Sequence, residues 1–176
     1  MLYRPATLAD AEAIATIHTK NWSNGAFRGP NFDESVRAQL AAERRSVWEG
    51  RLSSPAADQF AVVAEEGGAV VAFVCTYGAD DGRWGSLLDN LHVRADWQGK
   101  GLGKALFLQS AQWCATKFPE CGMYLLVLAD NTPARRLYDG FGAADHDGGS
   151  WEPPGGGRLA SRLYAWTAAQ VRELAG

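Results

Sequence analysis

The stretch Gln98-Gly99-Lys100-Gly101-Leu102-Gly103-Lys104 lies between an apolar run ending at Val93 and an amphipathic run opening at Leu102. Its glycines occupy alternate positions where the chain enters a helix, and each removes a Cβ from the path of the backbone. The first N–H groups of a helix have no carbonyl to bond, and the helix dipole adds positive potential at the same place. Such a turn holds an anion, and two lysines strengthen the field. The reading is a seat for a pyrophosphate.

The whole chain narrows the choice of partner. Its 176 residues suit one domain with a sizeable core, and 47% hydrophobic against 21% charged residues is ordinary for a soluble protein. A net charge of −3 and a pI near 5.6 give no global attraction to nucleic acid or anionic lipid. Cys75, Cys114 and Cys121 have neither zinc-clip nor redox spacing, so they read as free thiols in a reducing compartment. No apolar run is long enough for a membrane span, and the first residues do not resemble a signal peptide. The expected location is the cytoplasm.

Periodicity places the elements. Thr7 and Asp10 have capping-box spacing, with Ala11, Ile14, Ile17 and Trp22 following at helical intervals, which predicts a helix over Leu8 to Lys20. A second helix is predicted from Asp33 to Leu52, carrying Val36, Leu40, Val47 and Leu52. Phe60 to Ala64 and Ala69 to Tyr77 flank Glu65-Glu66-Gly67-Gly68 as a hairpin, and a further strand runs from Trp84 to Val93. The glycine turn opens a helix from Leu102 to Lys117, with Leu106, Phe107, Trp113 and Cys114 inward. Met123 to Leu128 is a nearly continuous apolar run, as in a central strand covered on both faces. Thr132 caps a short helix with Pro133 at its first position and Gly140 at its end. Gly148 to Gly157 reads as a loop, and Leu159 to Trp166 as a last strand. The order α-α-β-β-β-α-β-α-β is a mixed α/β layer fold.

Two nucleotide motifs fail on particular residues. A Walker A loop needs Ser or Thr after Gly-Lys to hold magnesium, and Ala105 stands there. A dinucleotide fingerprint needs its third glycine where Lys104 stands, and its turn must follow the strand directly. The pattern left, Gln-x-x-Gly-x-Gly over Gln98 to Gly103, resembles the coenzyme A signature of the GNAT superfamily of N-acetyltransferases. Leu88-Asp89-Asn90-Leu91-His92-Val93 looks like that family's fourth strand. Asn131-Thr132-Pro133-Ala134-Arg135-Arg136-Leu137-Tyr138-Asp139-Gly140-Phe141-Gly142 is similar to its second signature.

The resemblance implies an acetyltransferase domain over residues 1–176. Its mixed, mostly antiparallel sheet would have splayed central strands and helices on both faces. Acetyl-CoA would be the donor, a small-molecule primary amine the acceptor, and the transfer a direct attack in a ternary complex. No metal, nucleic acid or membrane enters that scheme, and a homodimer stays open. The pyrophosphate would lie on the N–H groups of Gly99, Lys100, Gly101, Leu102, Gly103 and Lys104, after Gln98. The pantetheine arm would pair with the backbone of Leu91, His92 and Val93, with Asn131 and Ala134 beside it.

Tyr138 would protonate the departing sulfur; the structural alternative is a ring packed on the sheet. The general base is Asp89 or His92, directly or through water. Strand alternation puts Asp89 on the face of Leu91 and Val93, and Asn90 and His92 on the other. Trp22, Phe27, Arg28, Asp89, Trp151 and Glu152 are the acceptor-side candidates, with Asp89 an alternative partner for an acceptor cation. Trp22 also fits simple core, and His18 reads as structural. Two rival functions stand beside this one: a non-catalytic acyl-CoA sensor, and acetylation of protein N-termini or lysines.

Overall fold

The computed structural model describes residues 1–23 and 30–176. It contains one seven-stranded sheet in the order β1-β2-β3-β4-β5-β7-β6. The strands are β1 (Leu2–Pro5), β2 (Gln59–Glu66), β3 (Ala69–Asp81), β4 (Gly85–Val93), β5 (Met123–Leu128), β6 (Ala144–Trp151) and β7 (Leu159–Trp166). The helices are α1 (Ala11–Trp22), α2 (Glu34–Ser53), α3 (Leu102–Lys117), α4 (Thr132–Gly140) and α5 (Ala168–Ala175). All neighbouring strands are antiparallel except β4 and β5.

That exception shapes the molecule. β4 and β5 pair only at Ser86↔Met123 and Leu87↔Tyr124, then diverge. At the closed end Gly85 has φ +92°, and a Cβ there would lie 2.2 Å from Gly122 O. Only glycine lets the two backbones approach so closely. Beyond Leu87 the two strands stand apart as a V.

Helices cover both faces. α1 and α2 bury Ile14, Ile17, Trp48 and Leu52 against Val63, Phe73 and Cys75. α3, α4 and α5 bury Leu106, Phe107, Tyr138 and Val171 on the opposite face with Leu88, Leu125 and Trp166. Trp48 is fully buried and takes the core place expected of Val47, which is only half-buried. Burying a side chain of this kind stabilises by about 2 kcal/mol or more.

Several expectations are corrected. β1 is an addition: four residues are too few to show a period, and Arg4 holds them through Glu65 and Asp10, each at 2.8 Å. A short 3₁₀ turn, Leu8–Asp10, precedes α1, which starts at Ala11. β6 runs through Gly148 and Gly149, inside the segment expected to be loop, because pairing with β7 and the Asp145–Arg162 ion pair outweigh poor β propensity. α5 is a second addition, and its reciprocal Thr167–Gln170 capping box is a local signal. α4 is capped by Asn131, whose Oδ1 accepts from Ala134 N at 3.4 Å, while Thr132 is already helical. β5 is not covered on both faces, since Leu126 is 56% exposed.

A bulge gives the correction that matters most for the site. Cys75 pairs with Asn90, but the next residue, Thr76, pairs with Leu88, so Asp89 is extra in β4. One added residue reverses the alternation. Leu88 therefore shares the α3 face with Leu91 and Val93. Asp89 reaches Arg51 of α2 and stands on the side of Asn90 and His92, opposite to its expected face.

Candidate active site

The V between β4 and β5 opens into a cleft of about 970 Å³. At one end lies the glycine turn, where Gly99 and Gly101 have φ +74° and +82°, the left-handed region that penalises other residues. Gly101 is the N-cap of α3, and Ala105 N is the first amide to find a helical acceptor, Gly101 O at 3.0 Å. The amides of Leu102, Gly103 and Lys104 have no helical acceptor, and these three residues line the cleft. Gln98 reaches back to donate from Nε2 to Val93 O at 3.2 Å, tying the turn to the end of β4. Lys100 does not line the cleft; its Nζ lies 4.2 Å from the centre of the Trp97 ring.

Beside the turn, β4 offers backbone. Arg94 N donates to Val71 O at 2.9 Å, so Arg94 bonds towards β3. Antiparallel pairs alternate, which turns the N–H and C=O of Leu91 and Val93 away from β3 into the V. His92, opposite Phe73, directs its own peptide groups towards β3 and contributes its ring instead. Across the V, Asn131, Ala134 and Tyr138 of the α4 region line the cleft together with Leu125 to Leu128.

Tyr138 is 6% exposed, its ring 5.6 Å from Tyr164 and 6.0 Å from Phe107. Burial pushes its phenol pKa well above the ordinary value, so the hydroxyl keeps its proton. The ring packs on the sheet, as the structural alternative has it, and Tyr138 also borders the cleft.

The two candidate bases are both engaged. Asp89 Oδ2 accepts from Arg51 NH1 at 2.7 Å and from Asn90 Nδ2. Asn21 Nδ2 lies 3.3 Å from His92 Nδ1 and 3.1 Å from Val93 O. An amide nitrogen only donates, so Nδ1 is the acceptor and Nε2 carries the ring proton. Burial lowers the His92 pKa to about 4, so the ring is neutral in ordinary buffers. Asn21 has no signal in the sequence beyond its place, one turn after His18 on the same helical face.

His18 stacks near His92 with ring centroids 4.6 Å apart. The Trp48 indole donates to His18 Nδ1 at 3.1 Å, and burial, helped by the charges of His92, Arg44 and Arg51, drives the His18 pKa down to about 2. On the acceptor side Trp22 and Trp151 meet edge to face at 5.0 Å, and both line the cleft. Phe27 and Arg28 lie outside the described residues, and Glu152 is exposed beyond the cleft lining.

Comparison with known proteins gives the family to which this fold belongs. The acetyltransferase (GNAT) family model matches residues 16–143, and the chain belongs to that family. Among solved structures it is similar to an N-acetyltransferase from Staphylococcus aureus Mu50, with 18% identity over 95% of this chain and 98% of that one, at a TM-score of 0.68. A ribosomal-protein-alanine N-acetyltransferase from Brucella melitensis shows 20% identity over 95% and 99%, at 0.68. Arabidopsis thaliana NAA60 in complex with acetyl-CoA shows 19% over 94% and 97%, at 0.67. The same comparison against curated proteins gives no match. No helix among the described residues is long and apolar enough to cross a membrane.

Proposed function

We propose that the protein transfers the acetyl group of acetyl-CoA to the primary amine of a small molecule, by direct attack in a ternary complex. The observation that carries the reading is the V between β4 and β5, which runs into the unpaired amides of Leu102, Gly103 and Lys104. The pyrophosphate rests on that turn, with Gly99 and Gly101 supplying its curvature. The pantetheine arm lies along β4 and bonds the peptide groups of Leu91 and the N–H of Val93, whose carbonyl already accepts from Asn21 and Gln98. The N–H of Leu91 polarises the thioester carbonyl and holds the oxyanion as it forms.

The chemistry then balances simply. The amine lone pair forms the new C–N bond, the C–S bond breaks, and its electron pair leaves on sulfur. Tyr138 gives its proton to that sulfur and regains one released from the amine through water. Arg51 holds Asp89, and Asn21 holds the His92 lone pair, so neither side chain is free to take the amine proton first. The acceptor therefore reacts from its neutral form, and water removes the proton.

A second reading, an acyl-CoA sensor without turnover, draws on that same lack of an unengaged base. Calorimetry with acetyl-CoA followed by thiol release with a panel of amines tests both. Heat without release is the sensor's result, release supports the transferase, and absence of heat removes both.

A further inference from the structure

Leu126 is out of place for a central strand. It is 56% exposed, while Tyr124 and Leu128 on the same face of β5 are 9% and 6% exposed. Apart from Met1, Leu2 and Leu8 near the N-terminus, it is the one large hydrophobic residue so exposed among the described residues. α1 and α2 cover this face of the sheet only over the strands up to β4. Leu126 thus forms a bare apolar floor within the cleft, on the face that Asp89 and His92 border.

The edge-to-face pair of Trp22 and Trp151 lines the same cleft, with the Arg44 guanidinium 5.2 Å from the centre of the Trp22 ring. Charge here is sparse. Asp89 is the one carboxylate among the described residues that line the cleft, and it already holds Arg51 at 2.7 Å. A polycation entering the cleft would have to part that pair or leave its extra ammonium groups without a counter-ion, and a desolvated unpaired charge is costly. An apolar or aromatic body would instead cover Leu126, gaining what burial of such surface gives.

We infer that the acceptor of the proposed acetyl transfer is a monoamine carrying an apolar or aromatic body, seated on Leu126 between Trp22, Trp151 and His92. This rests on the acetyl-CoA reading and narrows it. The amine nitrogen points at the thioester in the V, and the body lies outward over β5. The bond changes are those already given, with the amine proton passing to water and one proton reaching the coenzyme sulfur.

The experiment compares 2-phenylethylamine with spermidine as acceptors for the full chain, reading thiol release from acetyl-CoA, alongside the variant Leu126→Asp. The aromatic monoamine is expected to have the higher kcat/KM by at least roughly tenfold, and Leu126→Asp to lower it by a similar factor through KM. Acetyl-CoA affinity, measured by calorimetry, is expected to be unchanged in the variant, which also shows that it folds. Equal or better use of spermidine overturns the inference, as does acetyl-CoA binding with no acetylation of 2-phenylethylamine or an insensitive Leu126→Asp. Loss of acetyl-CoA binding by the unaltered protein is a different result and removes the transferase reading itself.

Discussion

Leu88 and Asn90 stand two positions apart in β4 yet face opposite sides of the sheet, because Thr76 pairs with Leu88 and Cys75 with Asn90. The extra residue between them, Asp89, is turned to α2 and its Arg51. A flat strand would have kept Leu88 and Asn90 on one side. The bulge also sets the phase of the last residues of β4, so Leu91 and Val93 present peptide groups to the V while His92 presents its ring.

Arg51 decides what Asp89 does. The guanidinium is partly buried against Trp48 and Tyr77, so removing its counter-charge leaves a poorly solvated cation. Asp89→Asn is expected to cost about 1–3 kcal/mol of stability while lowering kcat less than tenfold. Thermal unfolding and steady-state kinetics on the same preparation check this, and a hundredfold drop in kcat with unchanged stability would restore Asp89 as the base.

Tyr138→Phe keeps the ring and removes the proton donor. A thiolate is a tolerable leaving group, so kcat is expected to fall by about tenfold to a hundredfold without reaching zero. KM for acetyl-CoA should hold, since the ring still packs between Phe107 and Tyr164. A rate equal to that of the unaltered protein would leave Tyr138 a packing residue only.

The pH profile has two parts. With His92 held near 4, no histidine among the described residues that line the cleft inflects kcat/KM near neutrality, and the profile should climb with the neutral fraction of an alkylamine towards its pKa near 10. Stability moves for a related reason. His18 and His92 have folded pKa values of about 2 and about 4, below the unfolded value near 6.5, so the unfolded chain binds more protons below that value. Their stabilisation is complete above pH 6.5 and is lost as pH falls below it, down to about 4 for His92 and about 2 for His18, at up to about 1.4 kcal/mol per pH unit for each. Urea unfolding between pH 7.5 and 5 should show this slope, and His18→Gln should remove its share; an unchanged slope would refute the assignment.

Gly101 tests the turn. At φ +82° alanine costs about 1–2 kcal/mol, and relaxing that strain swings the amides of Leu102, Gly103 and Lys104 out of convergence. Gly101→Ala is expected to weaken acetyl-CoA binding by roughly tenfold. Gly50→Ala is the control, because Gly50 lies inside α2 with nothing within 4 Å of the added Cβ. It should raise stability by about 0.5–1 kcal/mol and leave binding alone. Equal binding by both variants would count against the pyrophosphate seat.

The legible parts of the sequence are those with local causes. α3 and β7 fall where their patterns put them, since amphipathic period, glycine punctuation and apolar runs act over a few residues. β1, β6 and α5 are harder to see: the first is too short for a period, the second is held by its neighbour, and the third is marked only by its cap. Among site residues, Gln98 and the glycines announce themselves by motif. Asn21 does not, because nothing local marks a helical asparagine whose partners, His92 and Val93, lie on another element.

By itself the chain's order of residues determined the glycine turn, the helix it opens and the family to which the protein belongs, because a left-handed glycine and an uncapped helix start are properties of adjacent residues. Tertiary structure alone decided which side chains share the cleft. A bulge opposite Cys75 and Thr76, a parting of β4 from β5 after Leu87, and Arg51 arriving from α2 each arise from pairing between distant segments, and such pairing leaves no mark in the local pattern.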